Sequence, residues 1–330
     1  MVILNTANVG EYLLAKRPDW GPIHGASYLG GGVSNTVILV DFPSHRIVLK
    51  QALSKLNVEQ DWYADQARTI REYRGLQTVH KFLPPKASPT TLFLDSENYI
   101  YAMQAAPAGA VDWKQLLLSG KVDPAIAGSI GQMLGAMISA SWKDPPLESE
   151  FGDQSIFGQL RLDPYYKATA NQHKDLQTFF GELAASCAQR RNSLVHGDWS
   201  PKNLLVSVEG VMAIDFEVVH FGDAAFDAGF LLNHLLLKSF LLPHLQAQFE
   251  AAGLAFWRAL EQSLPIDATE FEAFTVRHWC ALMLSRMDGK SPAEYIKDPS
   301  VKQRIRDLAR HLIQHPVDSV ETVWVQRSKA

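Results

Sequence analysis

Short apolar runs separated by turn residues occupy the first hundred positions of the chain. The runs ASYLGGG, NTVILVDF and HRIVLKQAL have strand character, with Pro43-Ser44 between the second and the third. A polar stretch from Val58 to Phe82 predicts one helix, which Pro84-Pro85 ends. The runs TTLFLD and YIYAMQAA then return to the strand pattern around a turn at Ser96–Asn98. The pattern therefore indicates a β-rich unit with one helix.

From Asp112 onward the pattern is largely helical, and one hairpin interrupts it. Within LVHGDWSPKNLLVSVEGVMAIDFE, Leu194 to Glu217, the apolar runs LLVSV and VMAIDF flank Glu209-Gly210, a short turn. The chain thus predicts an α+β, bilobal architecture. Residues 1–104 form a small β-rich lobe, and residues 105–330 form a larger α-helical lobe.

Composition narrows the class of protein. The 330 residues are 47% hydrophobic and 20% charged, which suits a packed globular chain of two lobes. A net charge of −4 argues against a nucleic-acid partner. The apolar segment from Ala225 is broken by Asp, Asn, His and Lys, so it predicts a buried helix and no membrane span. Two cysteines and no signal peptide favour a cytoplasmic protein. A monomer or homodimer is expected.

The stretch LGGGVSNTV, Leu29 to Val37, places three glycines between two strands. Glycines allow a tight turn and a close approach of backbone N–H groups to a phosphate, although glycine-rich hairpins are also common. Lys50 at a strand end and Glu72 in the helix are ordinary surface residues when taken alone. Their order after the glycine loop is that of kinases in which a lysine binds the ATP phosphates and a helix carboxylate forms an ion pair with that lysine. The candidate phosphate-binding residues in the loop are Gly30, Gly31, Gly32, Ser34 and Asn35.

The hairpin carries the strongest chemical signal. His196, Asp198 and Asn203 have the His–Asp–Asn spacing of a kinase catalytic loop, and Asp215 ends the second apolar run. Phosphoryl transfer needs a carboxylate beside the attacking hydroxyl and hard oxygen ligands for Mg²⁺. Because a hairpin brings its two ends together, Asn203 and Asp215 are predicted to supply those ligands.

The motifs VHGDWSPKNLLV, AIDFE and FGDAAFDAGF resemble those of the aminoglycoside phosphotransferase and choline kinase family. The resemblance implies a protein-kinase-like fold with ATP between the lobes. It also implies that Asp198 is the catalytic base, that Asn203 and Asp215 bind Mg²⁺, and that Lys50 and Glu72 form the phosphate-gripping pair. His196 is then structural, and Asp227 braces the catalytic loop from the next helix. The adenine is expected beside the segment from Tyr101 to Ala105, and its contacts are Met103, Gln104 and Ala105.

Two positions in and after the catalytic loop are open to two interpretations, and a third departs from the family pattern. Trp199 replaces a leucine common in relatives, so the acceptor side of the loop is expected to differ. Lys202 either steadies the transferred phosphate or faces solvent, and solvent is favoured. Glu217 either reaches a second metal through water or pairs with a nearby cation.

Two segments, FGQLRLDPYY and LSRMDGKSPAEY, interrupt the helical pattern and are the candidate acceptor-facing segments. Each also fits a capped helix end with a local Arg–Asp pair. Basic residues in both favour a neutral or partly anionic metabolite, such as a sugar or polyol derivative, over a polycationic aminoglycoside. The candidate acceptor contacts in these segments, besides Asp198, Trp199 and Glu217, are Arg161, Tyr165, Arg286 and Asp288.

Two other functions compete with a small-molecule kinase. A catalytically silent nucleotide-binding scaffold is disfavoured, because every chemical position holds the residue that the chemistry needs. A protein kinase is disfavoured, because only eight residues separate Asp215 from the next predicted helix, which leaves no room for an activation loop.

Overall fold

The computed structural model describes residues 2–30, 35–53 and 65–330. Within them, an antiparallel sheet of five strands lies in the N-terminal part, in the order β1-β2-β3-β5-β4. Its strands are β1 (Gly25–Tyr28), β2 (Asn35–Asp41), β3 (Arg46–Ala52), β4 (Thr91–Asp95) and β5 (Ile100–Gln104). The strands lie where the apolar runs predict them. The boundary between lobes at residue 104 stays a prediction.

Side chains of β3 alternate between two apolar cores, as the period of two along a strand requires. Ile47 and Leu49 face one core, together with helix α1 (Val9–Lys16). Val48 faces the opposite side and joins the core that runs into the helical lobe. Lys50 shares the parity of Val48, so the strand carries its amine to the side of the sheet where helix α2 (Arg68–Val79) packs.

Helix α2 covers part of the stretch predicted as helical from Val58 to Phe82. Residues 58–64 of that prediction lie outside the described residues. Gly75 permits close packing of α2, because a Cβ at this position would come within 2.7 Å of Val219 Cγ1. The helix that carries Glu72 is thereby held against the segment that follows Asp215.

The helical lobe contains most of the remaining elements. Its helices are α3 (Trp113–Leu118), α4 (Pro124–Ser141), α5 (Pro145–Phe151), α6 (Ser155–Phe157), α7 (Ala168–Gln172), α8 (Gln177–Gln189), α9 (Ala225–Leu241), α10 (Gln246–Glu261), α11 (Ala268–Asp288), α12 (Pro299–Gln314) and α13 (Val320–Lys329). A π-helix, Gly158–Lys167, lies between α6 and α7. Asp123 and Asp298 cap α4 and α12 with side-chain oxygens, and a proline follows each of them at the first helical position.

Short strands frame the hairpin, so it is not the only interruption of the helical part. Strand β8 (Leu204–Ser207) pairs with β9 (Gly210–Ala213) and with β6 (Val111–Asp112). Strand β7 (Ser193–Val195) pairs with β10 (His220–Gly222). The two-residue loop of the hairpin is Val208–Glu209, one residue earlier than predicted. Gly210 opens β9 instead, with a φ of +118° that suits glycine.

Among the described residues, none of the helices has the length and apolar character needed to cross a bilayer. Helix α9 holds the apolar segment from Ala225, and most of its side chains are buried in the helical lobe. The interpretation of this segment as a core helix agrees with its position.

Candidate active site

Asp198 lies in a loop between β7 and β8, and its carboxylate faces two cations. Arg161 Nη2 is 3.0 Å from Asp198 Oδ2, and Lys202 Nζ is 2.9 Å from the same oxygen. Burial alone would raise the pKa of Asp198, but Lys202 and Arg161 outweigh it and hold the pKa below its ordinary value. Asp198 is therefore an ionised carboxylate, available to accept a hydrogen bond from a hydroxyl.

The backbone of this loop is fixed by Asp227 at the start of α9. Asp227 Oδ2 accepts a hydrogen bond from the His196 N–H at 2.6 Å, and Oδ1 accepts from the Gly197 N–H at 2.9 Å. Gly197 has a φ of +77°, and a Cβ there would lie 2.8 Å from Val218 Cγ1, so the position requires glycine. This is the contact through which Asp227 would brace the loop.

His196 is buried and links the loop to the second strand of the hairpin. Its Nδ1 accepts a hydrogen bond from the Asp198 N–H at 3.1 Å, so Nε2 carries the proton and donates to the Ile214 carbonyl at 3.0 Å. Burial lowers the pKa of His196 to about 4. The imidazole is therefore neutral, in keeping with its predicted structural role.

Asn203 and Asp215 flank the hairpin at the ends of its paired strands. The Asn203 Nδ2 donates to the Asp198 carbonyl at 3.0 Å, and the Ile214 N–H donates to the Asn203 carbonyl at 3.0 Å. Because Nδ2 is engaged, Oδ1 is the atom of this amide left to face a cation. Asp215 has a φ of +69°, a strained backbone conformation of the kind that concentrates at functional sites.

Lys50 connects strand β3, helix α2 and the hairpin. Its Nζ donates to Glu72 Oε1 at 2.8 Å and forms a second short contact with Asp215 Oδ1. Burial lowers the pKa of Lys50, but Asp215 and Glu72 reverse the effect and raise the pKa well above its ordinary value. Burial raises the pKa of Asp215, yet Lys50 outweighs burial and lowers the pKa well below its usual range. The structure thus brings together three residues that lie far apart in the sequence.

Glu217 is engaged on the side of α2. Its Oε2 accepts a hydrogen bond from Asn35 Nδ2 at 2.9 Å and lies 3.5 Å from Arg68 Nε. Of the two interpretations for Glu217, the structure displays the pairing with a cation. The sequence alone does not identify Arg68 as a site residue, because its partner Glu217 lies 149 positions away and no local pattern indicates the pair.

Arg161 and Tyr165 come from the π-helix, a rare conformation that is frequent at functional sites. Arg161 Nε also donates to the Gly197 carbonyl at 2.6 Å, so the side chain is fixed against the catalytic loop. Arg286 lies with its guanidinium carbon 5.9 Å from the centre of the Tyr165 ring. The structure therefore brings residues of the two candidate acceptor segments into contact.

Two side chains are placed differently from the prediction. Trp199 is fully buried and packs 5.4 Å from the His196 ring, so it does not face an acceptor. Asp288 is held by Arg306 of α12 at 2.8 Å and by His173 at 2.9 Å, so its Arg–Asp pair is formed by packing and not within its own segment. Lys202 is exposed, as the interpretation favoured from the sequence has it, and its amine also pairs with the buried Asp198 carboxylate.

The predicted adenine segment follows strand β5. The Gln104 N–H donates to the Thr90 carbonyl at 2.8 Å, and the Ala105 N–H donates to the Arg46 carbonyl at 3.2 Å. Met103 is buried between β3 and β4. A base bound here would use groups other than these two N–H donors. Of the predicted glycine loop, Gly31, Gly32 and Ser34 lie outside the described residues, while Gly30 precedes them in a bend.

Comparison with known proteins gives one family match and a set of relatives. Residues 25–261 match the model of the phosphotransferase enzyme family. The chain is 25% identical over 296 residues to a methylthioribose kinase of Pectobacterium carotovorum, an alignment that covers 81% of this chain and 72% of the relative. It is 26% identical over 246 residues to a methylthioribose kinase of Escherichia coli, an alignment that covers 66% of this chain and 58% of the relative.

Solved structures share the fold at low sequence identity. A spectinomycin phosphotransferase in complex with ADP and spectinomycin superposes with a TM-score of 0.54 at 12% identity, covering 100% of both chains. An amicoumacin kinase in complex with AMP-PNP superposes with a TM-score of 0.52 at 12% identity, covering 94% of this chain and 95% of the other. These likenesses confirm the bilobal, protein-kinase-like α+β fold.

Proposed function

The chain belongs to the phosphotransferase enzyme family and is an ATP-dependent small-molecule kinase, and we propose that its acceptor is a hydroxylated metabolite such as a sugar or polyol derivative. The observation that carries the proposal is the pairing of Asp198 with both Arg161 and Lys202. Two cations on one carboxylate leave the acceptor side of the loop without surplus negative charge. The named kinases among its relatives act on methylthioribose, so a ribose-type hydroxyl is the first candidate.

The catalytic step derives from the positions of three side chains. Asp198 accepts a hydrogen bond from the acceptor hydroxyl, orients it towards the γ-phosphate and takes its proton as the new P–O bond forms. Lys50, held by Glu72, neutralises charge on the nucleotide phosphates. The P–O bond to ADP breaks in line, so no covalent enzyme intermediate is required. Catalysis in this reaction class rests on positioning and on charge neutralisation.

The residues present fit a magnesium ion bound together with the nucleotide. Asn203 Oδ1 and the Asp215 carboxylate are hard oxygen donors at the end of one hairpin. Mg²⁺ is commonly bound by one or two carboxylates and completed by substrate phosphates. Among the described residues there is no cluster of three or more His, Cys, Asp or Glu side chains suited to a metal. The ion is therefore expected to arrive with ATP, and when bound at Asn203 and Asp215 it would neutralise negative charge on the phosphates.

A true aminoglycoside phosphotransferase is the alternative within the family, and the charge distribution disfavours it. A polycationic acceptor needs uncompensated carboxylates. Asp288, a candidate for such a contact, already pairs with Arg306 and His173. A protein substrate is disfavoured as well, because β10 and its pairing with β7 fill the short stretch between Asp215 and α9.

An ADP-release screen tests the proposal. The panel contains ribose, ribose 5-phosphate, 5-methylthioribose, gluconate, linear polyols and kanamycin-type aminoglycosides, each with wild type and with Asp198→Asn. Glu209→Gln, in the exposed hairpin loop, is the matched carboxylate-to-amide control. We expect turnover of a sugar or polyol that Asp198→Asn abolishes and Glu209→Gln retains. Efficient turnover of kanamycin with resistance in an expressing host would overturn the assignment of the acceptor. We further expect a cytoplasmic monomer or homodimer.

A further inference from the structure

A group of basic side chains lies in the helical lobe beyond Lys202, on α9, at the end of α11 and in the segment that follows. Lys238 is completely buried. Its Nζ donates to the His234 carbonyl at 3.2 Å and lies 5.1 Å from the centre of the Tyr295 ring. An ammonium group has three donors, so one carbonyl leaves it largely unsatisfied.

Arg286 and Tyr295 present further buried donors in the same place. Arg286 Nη1 donates to the backbone and side chain of Ser291, which fixes the guanidinium. Arg286 Nε and the Tyr295 hydroxyl are buried, and within the described residues neither has a hydrogen-bond partner. Orphaned buried donors of this kind call for an explanation, because each one carries the cost of desolvation.

The charges around Lys238 are mostly of one sign. Within the described part of the chain, neither Lys238 nor Arg286 forms an ion pair with a carboxylate. Burial, with the charges of Lys114 and Arg286, lowers the pKa of Lys238 to about 7, and Asp112 opposes this weakly. Burial, with Lys238, Arg286, Lys202 and Lys114, lowers the pKa of His234 well below its ordinary value. Buried cations without counter-ions are costly, and an anion that enters from solution relieves that cost.

We propose that Lys238, Arg286 and Tyr295 form a binding subsite for an anionic group of the acceptor, a carboxylate or a phosphate. The inference rests on the proposed function, since it specifies the acceptor of the same site. The acceptor is then a hydroxylated acid or a sugar phosphate, held by its charged end, while a hydroxyl at its other end reaches Asp198.

Two structural links place this subsite on the acceptor side of Asp198. Arg286 lies over Tyr165, which belongs to the π-helix that also supplies Arg161 to Asp198. Lys238 lies on α9, the helix whose first turn carries Asp227, and Asp227 accepts hydrogen bonds from the backbone of the catalytic loop. The subsite and the catalytic carboxylate are thus joined through side chains of both candidate acceptor segments.

The donor set suits an oxyanion. Because Ser291 occupies Nη1 of Arg286, the Nε edge of the guanidinium is left for a planar, charge-assisted contact. The Tyr295 hydroxyl adds a neutral donor. Lys238, whose Nζ lies 5.1 Å from the centre of the Tyr295 ring, adds a positive charge. Arg286 and Tyr295 are partly exposed whereas Lys238 is not, so the anion would enter past the first two.

Binding is tested first without nucleotide, by thermal shift and calorimetry on the full chain. The probes are matched pairs: D-gluconate with glucitol, and D-ribose 5-phosphate with ribose. We expect the anion of at least one pair to bind and its neutral partner to bind at least tenfold more weakly, as loss of charge-assisted contacts requires. Preference for gluconate identifies a carboxylate, and preference for ribose 5-phosphate identifies a phosphate.

Variants then locate the binding. Lys238→Met, Arg286→Gln and Tyr295→Phe are expected to weaken the preferred anion, each by roughly tenfold or more for the two cations. Lys297→Met removes the same charge two residues from Tyr295, at an exposed position, and is expected to leave binding unchanged. In ADP-release assays with the preferred anion, the subsite variants should raise KM far more than they lower kcat.

The outcomes separate this inference from the function on which it rests. If no member of either pair shows a preference for the anion, or if Lys297→Met weakens binding as much as Lys238→Met does, the subsite is refuted. If the preferred anion is phosphorylated with equal KM in wild type and Arg286→Gln, the subsite is refuted while the kinase assignment stands. If ATP fails to bind, the kinase assignment fails, and the anion measurement still decides the subsite.

Discussion

Arg161 Nη2 lies 3.0 Å from Asp198 Oδ2, and Arg161 Nε donates to the carbonyl of Gly197 in the same loop. One guanidinium therefore fixes both the side chain and the backbone of the catalytic loop from a π-helix 37 positions upstream of Asp198. The pair holds the carboxylate in one orientation, which is the property that a base for an incoming hydroxyl needs.

Arg161→Gln is expected to lower kcat by about 10- to 100-fold, because a loosened Asp198 misplaces the acceptor hydroxyl. The KM for ATP should stay near wild type, since within the described part of the chain Arg161 contacts no residue assigned to the phosphates. Steady-state kinetics with ATP and acceptor varied separately measure both effects. Arg161→Lys keeps the charge but loses the forked geometry and should recover only part of the rate. An unchanged kcat in Arg161→Gln would refute the positioning role.

ATP binding is expected to depend on Mg²⁺, because Asn203 and Asp215 would reach the triphosphate through the metal. Calorimetry with Mg²⁺ and with EDTA measures the difference. Asp215→Asn should remove most of the Mg²⁺-dependent part, whereas the exposed Glu209→Gln should retain it. Equal affinity for ATP in Mg²⁺ and in EDTA would contradict the assigned ligands.

Asp227→Ala is expected to destabilise the fold by about 2–5 kcal/mol, because it leaves the buried N–H groups of His196 and Gly197 without hydrogen-bond acceptors. Urea unfolding measures the loss. Asp227→Asn is the matched control, since its single carbonyl oxygen still accepts one of the two bonds and should give a smaller loss. If alanine and asparagine behave alike and cost less than about 1 kcal/mol, the bracing contact contributes little.

The sequence predicted the parts of the site that depend on local spacing. His196, Asp198 and Asn203 lie within eight residues, and a hairpin register links them to Asp215, so their proximity follows from the chain itself. The order of strand and helix likewise predicted the contact of Lys50 with Glu72. Spacing cannot reveal contacts that only packing creates. The pairs Arg161–Asp198 and Arg68–Glu217 each join segments with no shared periodicity.

Misplaced residues have a physical explanation of the same kind. Trp199 and Asp288 were assigned to the acceptor because they are aromatic or charged and lie beside turns. The sequence does not show that Trp199 fills a core position under His196, nor that α12 brings Arg306 to Asp288. The sequence assigns no site role to Lys238, since a lysine in an apolar run indicates only that the run does not span a membrane.

The pH dependence of stability should carry the signature of Lys238. Its pKa is about 7 in the folded chain against an ordinary value of 10.5, with burial as the first cause. Between these values the unfolded chain binds a proton that the folded chain has released, so this group makes stability rise with pH from about 7 towards 10.5. The stability gained in this way is lost again as pH falls from 10.5 to about 7. The charged or titratable groups around Lys238 are Asp112, Lys114, His234, Arg286 and Tyr295.

Lys238→Met removes this group while keeping an unbranched apolar stem of similar length. The variant is expected to be more stable than wild type near pH 6.5, with an advantage that declines steadily towards pH 9.5. Urea unfolding of both proteins across this range measures the difference, and Lys297→Met should track wild type throughout. The preferred anion should narrow the gap at pH 6.5, because it stabilises the ammonium of wild type only. A Lys238→Met variant less stable than wild type at pH 6.5 without anion would show that the lysine already has a counter-charge in the folded chain.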